Sequence, residues 1–126
     1  MRSFEDARRV YSVTQVNRYV KSLLTNDALL SGIWLRGELS NYKRHSSGHR
    51  YFTLKDAEGA IAAVMFASYA AGLNFVPTEG QQVEVRGSVS LYEKTGQYQF
   101  YVTQMEPLGR GTLYQAFEEL KEKLER

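Results

Sequence analysis

A chain of 126 residues with 43% hydrophobic content suits one domain with one compact core. Its 16 basic and 14 acidic residues leave a net charge of +2, which is not the signature of a strongly basic nucleic-acid binder, so any positive field must be local. The absence of cysteine excludes disulfides, thiolate zinc sites and cysteine nucleophiles and fits a cytoplasmic protein; no long apolar run offers a membrane partner, and the acidic N-terminus lacks the apolar stretch of a secretory signal.

Residues 1–10 are mostly polar and are expected to be loosely ordered. A helix is predicted from Thr14 as N-cap, with Val16, Tyr19, Val20, Leu23 and Leu24 at helical spacing and Asn26-Asp27 as its stop. Its apolar stripe is expected to pack on one end of a barrel. From Gly32 the period changes to two. Ile33, Leu35 and Leu39 point one way, Trp34, Arg36 and Glu38 the other, and Gly37 marks a bend or bulge. Residues 41–48 read as a polar, basic loop, 49–55 as a second strand, 56–59 as a turn and 60–66 as a third strand. Residues 67–73 have helical composition and break at Gly72 and Pro77. A fourth strand spans 83–92, with Val83, Val85, Val89 and Leu91 on one face and Gly87 in its middle. Lys94-Thr95-Gly96 makes a hairpin loop. The fifth strand, 98–105, closes at Pro107 and Gly109. A last helix is expected from Thr112 or Leu113, with Leu113, Phe117, Leu120 and Leu124 on one stripe.

This order predicts a mainly β fold: a five-stranded OB-fold Greek-key barrel with an N-terminal helix, a short helix between strands three and four, and the start of a C-terminal helix. Mid-strand glycines suit its coiled sheet. The expected division is an arm and helix at 1–31, a nucleic-acid-binding barrel at 32–109, and a helix leading onward at 110–126.

Alternation puts Phe52 and Leu54 in the core and turns Tyr51, Thr53 and Lys55 outward, where Trp34 and Arg36 would join them. Such a surface binds single strands, because rings stack on bases and cations meet phosphates. Outward rings also serve as cross-strand packing partners, and that reading stays open for Tyr51 and Phe66. Trp34 is the ring that the N-terminal helix would cover. Tyr92, Tyr98 and Tyr101 lie near the last hairpin, one wall of the groove in OB folds, where some of them would fill the barrel mouth. Arg86 points outward as a contact or a solvated charge, and Lys94 can meet a phosphate at the hairpin tip. Lys43, Arg44, His45, His49 and Arg50 flank the first loop with no acid among residues 41–55. They read as a phosphate clamp, against the alternative of a solvated loop.

Two loop histidines without cysteines or clustered carboxylates do not complete a metal site. Ser46 and Ser47 have no identifiable orienting acid or oxyanion hole. Gly109-Arg110-Gly111-Thr112 lacks the spacing and lysine of a P-loop, and the scattered acids offer no two-metal site. No catalytic residue and no cofactor is therefore expected in this chain.

Several longer motifs carry a resemblance. Tyr11-Ser12-Val13-Thr14-Gln15-Val16-Asn17, Ile33-Trp34-Leu35-Arg36-Gly37-Glu38-Leu39-Ser40-Asn41 and Ser47-Gly48-His49-Arg50-Tyr51-Phe52-Thr53-Leu54-Lys55-Asp56 resemble the start of the large subunit of bacterial exodeoxyribonuclease VII. Val64-Met65-Phe66, Gly80-Gln81-Gln82-Val83, Leu91-Tyr92-Glu93 and Gly96-Gln97-Tyr98-Gln99 follow in the same order, as does the tail from Glu106-Pro107-Leu108-Gly109 to Leu120-Lys121-Glu122-Lys123-Leu124. The resemblance implies the N-terminal OB-fold domain of a longer hydrolase subunit, ending inside the helix after the barrel. That enzyme degrades single-stranded DNA from either end to short oligonucleotides. This stretch would grip the DNA, contain none of the catalytic residues, and connect to the remaining domains and the small subunit through regions absent here. The resemblance also implies a basic residue where this chain has Ala62. The alternatives are a protein-interaction module, docking through the apolar stripe or the tail helix, and an RNA-binding module using the same surface.

Overall fold

The computed structural model describes residues 8–108. Its elements are α1 (Val13–Thr25), a 3-10 turn at Ala28–Leu30, β1 (Ile33–Arg44), β2 (Arg50–Lys55), β3 (Ala60–Met65), α2 (Ala67–Ala70), β4 (Gln82–Tyr92) and β5 (Gln97–Pro107). The tail helix expected from Thr112 lies outside the described residues.

The strands close a barrel in the order β1-β2-β3-β5-β4. Only the β3–β5 pair is parallel. This is the OB-fold, as the element order predicts. Closure falls to β1, whose first half pairs with β4 and whose second half pairs with β2. A strand that serves two neighbours must bend, and Gly37 sits at the bend. A Cβ there would lie 2.8 Å from Leu54 Cγ and 2.9 Å from the Lys55 carbonyl oxygen. Gly87 is tighter still: a Cβ would meet the Tyr101 carbonyl oxygen at 2.1 Å. Both mid-strand glycines are close approaches that no side chain fits.

Leu39, Phe52, Leu54, Met65, Val83, Val85, Phe100 and Val102 fill the interior. Full burial of each such side chain stabilises by roughly 1.5–3 kcal/mol. The alternation read from sequence holds in β2 and β4, where Phe52, Leu54, Val83, Val85, Val89 and Leu91 all point inward and are buried.

Two expectations change. The helix starts earlier, because Ser12 and Gln15 form a capping box: the Ser12 hydroxyl accepts the Gln15 N–H, and the Gln15 side chain accepts the Ser12 N–H. Its packing face also differs. No residue of α1 is buried, and Val16, Tyr19 and Leu23 remain exposed. The helix lies along β4 through its half-buried face of Asn17, Val20, Lys21 and Leu24. Polar anchors hold it there. Asn17 Nδ2 donates to the Glu93 carbonyl oxygen at 2.8 Å, and Arg18 and Lys21 flank the Glu93 carboxylate at 3.7 and 3.5 Å.

The other change is in β1, which runs on through Asn41 to Arg44 where the sequence reads as loop. Ser40 pairs with Thr53 and Lys43 with Tyr51, so β1 spends one extra residue there. This bulge is centred on Asn41, whose φ of 53° lies in the left-handed region that asparagine tolerates better than most residues. The Glu79 carboxylate accepts the N–H groups of both Asn41 and Tyr42 at 2.9 Å, and these bonds hold its pKa below the usual carboxylate value. The extra residue inverts the alternation. Tyr42 turns inward against Phe52, with ring centroids 5.9 Å apart, and Lys43 turns outward beside Tyr51.

Candidate nucleic-acid interface

The outer face of β2, β3 and β5 carries a row in one register. Lys43 pairs with Tyr51, Tyr51 with Val64, and Val64 with Tyr101. Val64 points away from the barrel interior yet is only 3% exposed. Rings cover it. Tyr51, Phe66, Tyr92 and Tyr101, with Gln99, enclose a cleft of about 270 Å³ whose floor is Val64. The rings above remain accessible, with Tyr51 at 44%, Phe66 at 40% and Tyr92 at 43% exposure.

The rings brace one another. Phe66 and Tyr101 lie 6.0 Å apart at an interplanar angle of 30°. His49 stands edge-on to Phe66 at 5.2 Å and edge-on to Tyr51 at 6.4 Å. His45 meets Tyr51 edge-on from the loop at 6.3 Å. Burial, then the neighbouring Tyr92, raises the Tyr101 phenol pKa, so the hydroxyl remains a donor at neutral pH.

His49 is placed by its own ring. Its Nδ1 accepts the Ala67 N–H at 2.8 Å at the start of α2. This bond fixes the orientation of the ring. His49 is therefore held edge-on between Tyr51 and Phe66.

The remaining sequence candidates separate. Lys43 shares the outer face with Tyr51 and has no ion-pair partner among the described residues. Arg44 pairs with Arg50 in the next register, on the opposite side of the ladder, and the Arg50 guanidinium donates to the Gly48 carbonyl. The loop cations thus do not form one clamp. Lys94 stands exposed in the turn of the last hairpin, close after Tyr92. Lys55 lies at the far end of β2, about 13 Å along the strand from Tyr51 at ~3.3 Å per residue, with Arg36 near it on β1. Each is paired with an acid: Arg36 with Glu84 at 3.2 Å, Lys55 with Glu38 at 3.3 Å. A wider hollow of about 560 Å³ opens there, lined by Arg36, Glu38, Lys55, Asp56 and Gln82 among others. Trp34 and Arg86 are register partners on the β1–β4 seam, so Trp34 does not join Tyr51, and α1 leaves it exposed. Tyr98 lines a hollow with Arg36, Leu54 and Ile61, away from Tyr92 and Tyr101.

Tyr101, Val64 and Gln99 are central to the cleft although sequence reading gives them no central place. The parallel β3–β5 pairing brings them there, and no local pattern announces it. Among the described residues no group of three or more His, Cys, Asp or Glu side chains could hold a metal ion.

A barrel with an accessible aromatic cleft and a cation at its edge defines a class. Residues 11–106 match the family described as OB-fold nucleic acid binding domain, and the chain belongs to that family. More narrowly, it is an OB-fold domain homologous to exodeoxyribonuclease VII large subunits. It is 55% identical over 115 residues to the exodeoxyribonuclease 7 large subunit of Brevibacillus brevis, covering 91% of this chain and 25% of that protein. With the same subunit of Alkaliphilus metalliredigens it shares 52% identity over 118 residues, covering 94% of this chain and 29% of that protein. The chain thus spans little more than a quarter of the length of these relatives. A replication protein A heterotrimer bound to single-stranded DNA matches in fold alone, with a TM-score of 0.51 and 14% identity over 76% of this chain and 74% of that one.

Proposed function

We propose that this domain binds single-stranded DNA and presents it to an exodeoxyribonuclease. The observation that carries the reading is the ring array over Val64: Tyr51, Phe66 and Tyr101 form one accessible face with His49 bracing it. Bases stack on Tyr51, Phe66, Tyr101 and Tyr92. Lys43 and Lys94 meet phosphates on either side of the cleft, while Arg44, Arg50 and Arg86 contribute longer-range attraction. Arg36 and Lys55 belong to the ion-paired end and contribute least. The homology to exodeoxyribonuclease 7 large subunits supports DNA as the ligand. The parent protein would be a cytoplasmic hydrolase of single-stranded DNA. Its cutting machinery, and the surface that meets a small subunit, would lie in the remaining three-quarters of its length. Alone, this domain holds its ligand without cleaving it.

A fluorescence titration with oligo-dT tests the reading. Binding should be clear at about 50 mM salt and weaken steeply as salt rises, because phosphate contacts release counterions. No binding at the low salt would sink it. Competition with matched RNA oligonucleotides separates the RNA reading, which uses the same rings.

The exposed Val16, Tyr19 and Leu23 favour a second role for α1, as a docking face for another part of the large subunit. Light scattering over a range of concentrations removes self-association as the alternative if the domain stays monomeric.

A further inference from the structure

Among the rings of the cleft stands one carboxamide, a group that offers a donor and an acceptor side by side to the edge of a base. Gln99 lies beside Tyr101 and Tyr92 and is half-buried. Its carboxamide makes no hydrogen bond to another described residue and is open to solvent on its exposed side. Every other lining side chain is aromatic or, at the floor, valine. A base that stacks in the cleft shuts the carboxamide off from solvent. A buried amide left without a partner is destabilising, so the base edge has to supply one.

We propose that the cleft seats one nucleobase and that Gln99 bonds its edge without selecting among bases. The inference rests on the single-strand reading above. A carboxamide offers an acceptor and a donor side by side, and rotation about its last bond exchanges them. Each base presents neighbouring donor and acceptor groups on its edge. At the exocyclic position cytosine carries an amine and thymine a carbonyl. At that position a flipping amide serves both, whereas a side chain that only accepts or only donates serves one. Gln99 therefore gives hydrogen-bonded seating with sequence tolerance, which rings alone would supply without a fixed base orientation.

Two substitutions test this in opposite directions, with the ratio of oligo-dC to oligo-dT affinity at neutral pH as the readout. Gln99→Glu, acceptor only, should move the ratio towards dC. Gln99→Lys, donor only, should move it towards dT. Each shift should be roughly 10-fold or more, as expected for one charge-assisted hydrogen bond gained or lost. Because the altered charge acts on both oligonucleotides alike, it cancels in the ratio. Circular dichroism confirms that each variant is folded. Wild-type affinities for the two oligonucleotides should agree within about 3-fold, a difference smaller than one net hydrogen bond. If both variants bind and neither moves the ratio, Gln99 does not meet the base and the proposal falls. A wild type that strongly prefers one oligonucleotide overturns the tolerance. A wild type that binds neither defeats the single-strand reading itself, a result distinct from an unmoved ratio.

Discussion

The two ends of β2 carry similar residue types and do opposite things with them. At the Lys55 end, cations stand next to acids, and Arg36 and Lys55 are each within 3.3 Å of a carboxylate oxygen. At the Tyr51 end, Lys43 has rings for neighbours and no ion-pair partner among the described residues. A phosphate arriving at the first end must displace an existing partner, while one arriving at the second does not. Counting cations along the strand treats the two ends alike; pairing distinguishes them.

The sharpest way to break this comparison is to remove the rings. Phe66→Ala with Tyr101→Ala should produce the largest effect. Each lost stack costs about 1–3 kcal/mol, or roughly 5- to 150-fold in affinity. Titration with oligo-dT reads the loss, and a melting curve shows that the barrel survives. If affinity is unchanged, the cleft is structural packing and the two ends are equivalent. Lys43 comes next. Lys43→Ala should lower the slope of log affinity against log salt by about 0.7, the share of one phosphate on a single strand. Arg44→Ala, from the opposite side of the ladder, should lower it less. Equal slopes for the two variants would restore the loop as a single clamp.

Much of this fold is legible in the sequence because its signals are local. Alternation in β2 and β4, the turn at Lys94-Thr95-Gly96 and the two mid-strand glycines each depend on neighbours a few residues away. The site is less legible because its determinants are not local. The bulge at Asn41 depends on Glu79, 38 residues on, which supplies the acceptors for two strand amides. Without that carboxylate in view, a polar stretch reads as loop, and Lys43 cannot be given a face. Tyr101 reaches the cleft only through a parallel pairing with β3. His49 reads as part of the loop until its bond from the Ala67 N–H, 18 residues on, stands its ring between Tyr51 and Phe66. The apolar stripe of α1 misleads in part for a related reason: Asn17, Arg18 and Lys21 hold the helix around Glu93, so Val20 and Leu24 of the stripe face the barrel while Val16, Tyr19 and Leu23 stay exposed.

The ion-paired end should respond weakly. Arg36→Ala and Lys55→Ala should each leave oligo-dT affinity within about 2-fold, because each loses a partially exposed pair and no stack. Stability should change by less than about 0.5 kcal/mol, since exposed pairs are screened and flexible. A loss of affinity as large as that of Lys43→Ala would show that the ligand runs the full length of β2 and opens those pairs as it binds.

The smallest effect concerns the bulge that separates the two ends, and pH exposes it. Amides of Tyr42 and Asn41 hold the Glu79 carboxyl below its ordinary value of 4.5. A carboxylate with a depressed folded-state pKa contributes stability above its unfolded pKa and loses it as the pH falls through the folded one. Glu79→Gln lacks that contribution at every pH. The melting temperature of the wild type should therefore exceed that of the variant at neutral pH, and the gap should close progressively below about pH 4.5. Asp56 shifts in the same direction through the amides of Glu58 and Gly59, but it is common to both proteins and cancels in the difference. Because the bulge is what turns Lys43 towards Tyr51, the variant should also lose part of the salt dependence assigned to Lys43. A gap that stays constant across the titration would mean that the Glu79 charge does not hold the bulge, and that the register of Lys43 is set by the ladder alone.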